Sequence, residues 1–119
     1  PIWMPMNYLF ISTFKEYHNY FEDDLKFQYP SGSGNYLNLK QIGIEISKRL
    51  IAMFEKGTDG SRPVHALHKE KYTDQYFEEL ILYYEYCDGN NGRGVGASHQ
   101  TGWTALVANL IEEINRQKK

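Results

Sequence analysis

The stretch YYEYCDGNNGRGVGASHQTGWTALV, residues 83–107, decides how the chain is read. An aromatic run carries a single carboxylate, Glu85. A loop with Gly89, Gly92, Gly94 and Gly96 follows, and then a polar turn, His99-Gln100-Thr101-Gly102, opens onto Trp103 and an apolar helix. Repeated glycines allow tight turns and positive φ next to a ligand. The run YFEELILYYEY before the loop, residues 76–86, fits helix and strand templates alike. Its aromatic and β-branched end favours a short β segment near residues 80–86. Alternation would then place Ile81, Tyr83 and Glu85 on one side, and Leu80, Leu82, Tyr84 and Tyr86 on the other.

Working outward, residues 103–117 form an amphipathic helix with Trp103, Leu106, Val107, Leu110, Ile111 and Ile114 on one face. Arg116, Lys118 and Lys119 complement the negative end of its dipole. Residues 38–56 make another helix, capped by Asn38 and stopped by Gly57, with Leu39, Ile42, Ile46, Leu50, Met53 and Phe54 as its stripe. Residues 6–21 read as a third. Tyr8, Leu9, Ile11 and Phe14 spread round most of its circumference, which predicts a buried helix, and Pro5 suits its first turn. Between these, Glu22-Asp23-Asp24 reads as a solvated turn, residues 29–38 as a loop, and residues 57–74 as turns. His65 and His68, with Glu70 near, lack a third ligand at metal spacing and read as a surface or interface pair. The fold class is mainly α: three helices and a short β segment.

Composition narrows the function. The chain has 119 residues, with a net charge of −2 and both signs interspersed, so there is no basic footprint for nucleic acid. Cys87 stands alone, which rules out an internal disulfide. No apolar run approaches the roughly 18 residues that span a bilayer. Aromatic residues make up 15%, ten of them Tyr. Such rings stack on the C–H faces of sugars, and they equally serve as amphipathic packing at element interfaces. The loop reads G-x-G-x-G rather than G-x-G-x-x-G, with no second strand beyond the helix, which argues against a nucleotide. No cofactor and no metal are expected. Glu85 sits among aromatic residues that would raise its pKa, with Arg93, the Gln100 amide and the Trp103 indole near in sequence as donors. A structural Glu85–Arg93 ion pair is the plain alternative to a catalytic acid or base.

The same stretch resembles a signature of glycoside hydrolase family 63, inverting α-glycosidases. There a YE(N/Q/Y)Y-type segment precedes a Gly-x-Gly-x-Gly-Ala-type loop and a (H/F)(Q/T)GWT(A/S)LV helix start. Residues 1–9, PIWMPMNYL, are similar to a second motif of the family, (G)PIWxPxNYL. The two motifs lie at opposite ends, so the resemblance covers most of the chain. Because the chain opens at Pro1, inside a motif, it reads as a fragment.

The resemblance implies an (α/α)6 toroid, of which residues 1–119 supply roughly the last quarter, a C-terminal piece of the catalytic domain. It implies hydrolysis of an α-glucosidic or α-mannosidic bond with inversion, on an oligosaccharide or small α-glycoside. Glu85 takes the position of the general base. Trp3, His99, Gln100 and Trp103 would line the sugar subsite, although Trp103 also begins an apolar stripe. The family's general acid is an upstream Asp that nothing here matches. The AxHQTGWT wording is nearer the mannosylglycerate hydrolase-like branch, which implies a cytoplasmic enzyme; the reticulum lumen is the alternative. The rest of the catalytic domain is the implied partner, without nucleic acid or membrane. A sugar-binding remnant without catalysis and a helical interaction module are the rival readings.

Overall fold

A computed structural model describes residues 1–117. Three long helices dominate: α1 (Met4–Phe21), α2 (Leu39–Ala52) and α5 (Val107–Gln117). Two short ones, α3 (Lys69–Thr73) and α4 (Thr101–Thr104), and a 3-10 turn at Pro63–His68 complete the helical part. Two antiparallel two-stranded sheets join them, β1 (Lys26–Gln28) with β2 (Tyr36–Asn38), and β3 (Tyr86–Cys87) with β4 (Gly94–Val95). The protein is mainly α, as the periodicity predicts.

The helix starts follow from local chemistry. Asn38 caps α2 by accepting the Gln41 N–H at 2.8 Å, while the Gln41 side chain accepts the Asn38 N–H at 2.9 Å, a reciprocal capping box. Pro5 lies in the first turn of α1, where a missing N–H goes unneeded. α1 and α2 form the main helix pair. The core draws Met4 and Ile11 from α1, Leu50 and Ile51 from α2, and Val107 and Leu110 from α5. Leu110 is fully enclosed, and burying such a side chain contributes about 1.5–3 kcal/mol. A Lys15–Glu113 ion pair also links α1 to α5.

Several boundaries differ from expectation. α1 is not buried all round: only Met4 and Ile11 are enclosed, while Met6, Leu9, Phe10, Tyr17 and Tyr20 are exposed. The region expected as loop at 29–38 is the tip and second strand of a hairpin, registered Phe27 to Leu37. α2 stops at Ala52, four residues before Lys56, because Met53 and Phe54 turn inward to the core and Met53 O accepts the Val64 N–H. The helix expected at 103–117 is broken. The Thr104 hydroxyl donates to the Tyr84 carbonyl, while Val107 and Leu110 face the core. A rotated peptide at Ala105, ψ −5°, satisfies both. Of the basic tail, Arg116 pairs with Glu112 at 2.5 Å; Lys118 and Lys119 lie outside the described residues.

The expected β segment at 80–86 contracts to its far end. Residues 80–84 belong to no helix or strand, and β3 begins at Tyr86. His65 is not a surface residue: it is 1% exposed, stacked on Tyr72 with ring centroids 3.9 Å apart. Among the described residues, no helix is long and apolar enough to cross a membrane.

Candidate active site

Backbone pairing brings the two ends of the chain together. Ile2 exchanges two hydrogen bonds with Cys87, at 2.7 and 2.9 Å, adding an isolated bridge alongside β3. That register sets Trp3 beside Tyr86, and their rings stack with centroids 4.9 Å apart. Trp103 meets Trp3 edge-on at 6.0 Å. So Trp3 and Trp103, a hundred residues apart, join one aromatic cluster with Tyr86 between chain start and glycine loop. Trp103 is 42% exposed, so it is not a core anchor.

Glu85 is half-buried and directly precedes Tyr86 of this cluster in the chain. Its N–H donates to the Ala97 carbonyl at 2.9 Å, and Ala97 N–H donates to Glu85 Oε2 at 3.1 Å. These bonds hold the carboxylate against the far arm of the glycine loop. No cation pairs with Glu85 among the described residues; Arg93 instead faces Asp88, Nε to Oδ2 3.5 Å. The alternative of a Glu85–Arg93 ion pair is therefore not the arrangement found.

Two glycines have steric reasons to be there. At Gly94, a Cβ would lie 2.1 Å from the Tyr84 ring. At Gly96, φ is +80° and a Cβ would lie 2.5 Å from Glu85 Oε2 and 3.0 Å from Tyr86. Only glycine lets the loop close over these side chains.

His99 and Gln100 reach the same segment from the other side. Gln100 N–H donates to the Tyr83 carbonyl, and Tyr83 N–H approaches His99 Nδ1 at 3.5 Å. With Nδ1 as acceptor, His99 carries its proton on Nε2, which lies 3.0 Å from Thr101 Oγ1. Both His99 and Gln100 are exposed. An open groove of about 560 Å³ is lined by Trp3, Tyr86, Asp88, Asn90 and Arg93 among others; Glu85 and the 99–103 turn are not in its lining.

Sequence reasoning did not single out Tyr86, Ala97 or Thr104. Tyr86 was legible only as one more aromatic, and Ala97 acts through its backbone, which carries no signature. Cys87, in the bridge to Ile2, is buried and its thiol is pushed up to about 11 by desolvation, so it stays protonated.

No protein-family model matches the chain, and no solved structure matches it. Among curated proteins, it is 40% identical over 116 residues to YMR196W, an uncharacterized protein of Saccharomyces cerevisiae, covering 96% of this chain and 11% of that protein. It is 28% identical over 111 residues to the mannosyl-oligosaccharide glucosidase of the same yeast, covering 93% of this chain and 10% of that protein. This chain is distantly similar to a glucosidase. It spans about a tenth of the length of these relatives.

Proposed function

We propose that the chain is part of the catalytic domain of an inverting glycoside hydrolase, similar to family 63, and that Glu85 is its general base. The observation that carries this is the state of Glu85. It is a half-buried carboxylate fixed by one backbone N–H, with no cation to neutralise it among the described residues, and it directly precedes Tyr86, whose ring stacks on Trp3. One oxygen is anchored and the other is left to accept a proton. The glucosidase similarity supports the same reading.

The chemistry needs a water between Glu85 and the anomeric carbon. Glu85 removes its proton as the water attacks, and a second carboxyl protonates the departing oxygen. In inverting glycosidases the two carboxyls stand about 6.5–9.5 Å apart to leave room for that water. The second carboxyl belongs to the remainder of the domain, which in this reading completes an (α/α)6 toroid around α1, α2 and α5. Trp3 and Trp103 offer apolar faces to a sugar ring, and Gln100 and His99 offer exposed hydrogen-bonding groups. The substrate class is an α-glucoside or α-mannoside, and the soluble mannosylglycerate hydrolase-like branch is the nearer one.

The test is Glu85→Gln in the whole protein, assayed for sugar release from α-glucosides and α-mannosides. Turnover should fall by at least about 10²-fold, the usual contribution of a general base, with sugar binding by calorimetry retained. Unchanged turnover removes the assignment. Binding without hydrolysis by the unaltered protein would make it a sugar-binding remnant.

A further inference from the structure

The segment that carries Glu85 has no strand beside it, so its backbone is held group by group. Downstream of Leu82 the holds come from residues 97–104: the Gln100 amide on Tyr83 O, the Thr104 hydroxyl on Tyr84 O, and the paired bonds of Ala97 with Glu85. Upstream the hold is of a different kind. Leu82 N–H donates 3.1 Å to Nε2 of His65, a side chain from the Pro63–His68 turn, 17 residues earlier. An aromatic ring packed against the segment would give position along one direction only. A hydrogen bond to a backbone amide also fixes register, because a one-residue slip would take the Leu82 amide off its acceptor.

We propose that His65 is a positioning residue for Glu85, holding the Leu82 amide through Nε2 and so setting where the Glu85 carboxylate stands. This rests on reading Glu85 as the base. The surroundings of His65 suit an acceptor. Its ring is 1% exposed and stacked on Tyr72, whose own face is approached by the Lys71 ammonium at 5.7 Å. Burial and the Arg62 and His68 charges hold its pKa down to about 4, so the imidazole is neutral near pH 7. With Nε2 accepting, the proton sits on Nδ1. A charged imidazole would have no lone pair for Leu82.

His65→Phe keeps a ring against Tyr72 and removes the acceptor; His65→Gln offers Oε1 as a replacement acceptor. In the whole protein, His65→Phe should lower kcat about 10- to 100-fold, the scale of a small misplacement at a reacting centre, with KM changed less than about threefold. Hydrogen–deuterium exchange at Leu82 should accelerate, and His65→Gln should recover most of both. If His65→Phe does not accumulate as folded protein, His65→Met makes the same comparison. Wild-type kcat in a folded acceptor-less variant overturns the proposal. So does a Gln variant no better than Phe or Met, which would make His65 a packing residue. Leu82 exchange unchanged by loss of the acceptor overturns the anchor whatever the activity. Activity retained in Glu85→Gln, with Leu82 exchange still dependent on His65, would instead remove the base assignment and leave the anchor standing.

Discussion

At the scale of single residues, Gly94 and Gly96 do different work that their shared loop conceals. Gly94 has an ordinary backbone but lies under the Tyr84 ring, so Gly94→Ala should destabilise by overpacking, about 1–3 kcal/mol, read as a lower Tm. Gly96 is both left-handed and against the Glu85 carboxylate. Gly96→Ala should therefore cost activity as well as stability, since the new methyl displaces Oε2; an unchanged kcat would mean that the carboxylate has no need of that place. His65 adds a pH dependence with a definite sign. Its folded pKa, about 4, lies below its ordinary 6.5, so the unfolded chain takes up the proton first as pH falls. The stabilisation is complete above pH 6.5 and is lost between 6.5 and 4, by an amount on the order of 3 kcal/mol. The fall in Tm between pH 7 and pH 5 should be smaller in His65→Gln than in the unaltered protein. Glu85 was legible as a candidate from its aromatic neighbours, and its lack of a cation was not, because Arg93 has both Glu85 and Asp88 within reach along the chain and nothing local chooses between them.

Secondary-structure elements were read best where they depend on their own residues. The Asn38 cap of α2 was legible because a capping bond spans three residues and needs nothing else. Asn38→Ala should cost about 1 kcal/mol and show first as faster amide exchange in the opening turn of α2. The ends were read worst. α2 stops early because Met53 and Phe54 are claimed by the core, and the 103–117 helix breaks because Thr104 is claimed by Tyr84. Thr104→Val, which keeps the shape and removes the hydroxyl, should relax that break and loosen Tyr84. A 1–3 kcal/mol loss, the penalty for an orphaned buried carbonyl, would register in Tm. The expected β segment at 80–86 keeps only its end, where Tyr86 pairs with Val95 in β4, for a related reason: the residues before it are held by the His65 side chain and a loop.

Across the whole molecule the exposed side of α1 is the dominant feature. Met6, Leu9, Phe10, Tyr17 and Tyr20 line a helix whose composition predicted burial. The radius of gyration is 15.7 Å, against about 13.5 Å for a compact domain of this length. Both facts agree with the proposal that further helices of one domain cover α1. Residues 1–119 prepared alone should bind a dye for apolar surfaces and self-associate in sedimentation, whereas the whole protein should do neither. A monodisperse, dye-silent isolated chain would mean that α1 needs no cover.

Helical content, the cap of α2, the apolar stripe of α5 and the candidacy of Glu85 were determined by sequence alone. Each depends on contacts within a few positions, where periodicity and side-chain type suffice. Tertiary structure decided that Ile2 pairs with Cys87, that Trp3 stacks on Tyr86, that Arg93 turns to Asp88, and that His65 lies inside. These join residues separated along the chain or choose among equal neighbours. Such choices follow from how backbone amides and carbonyls find partners once the core has closed, and no local pattern encodes that.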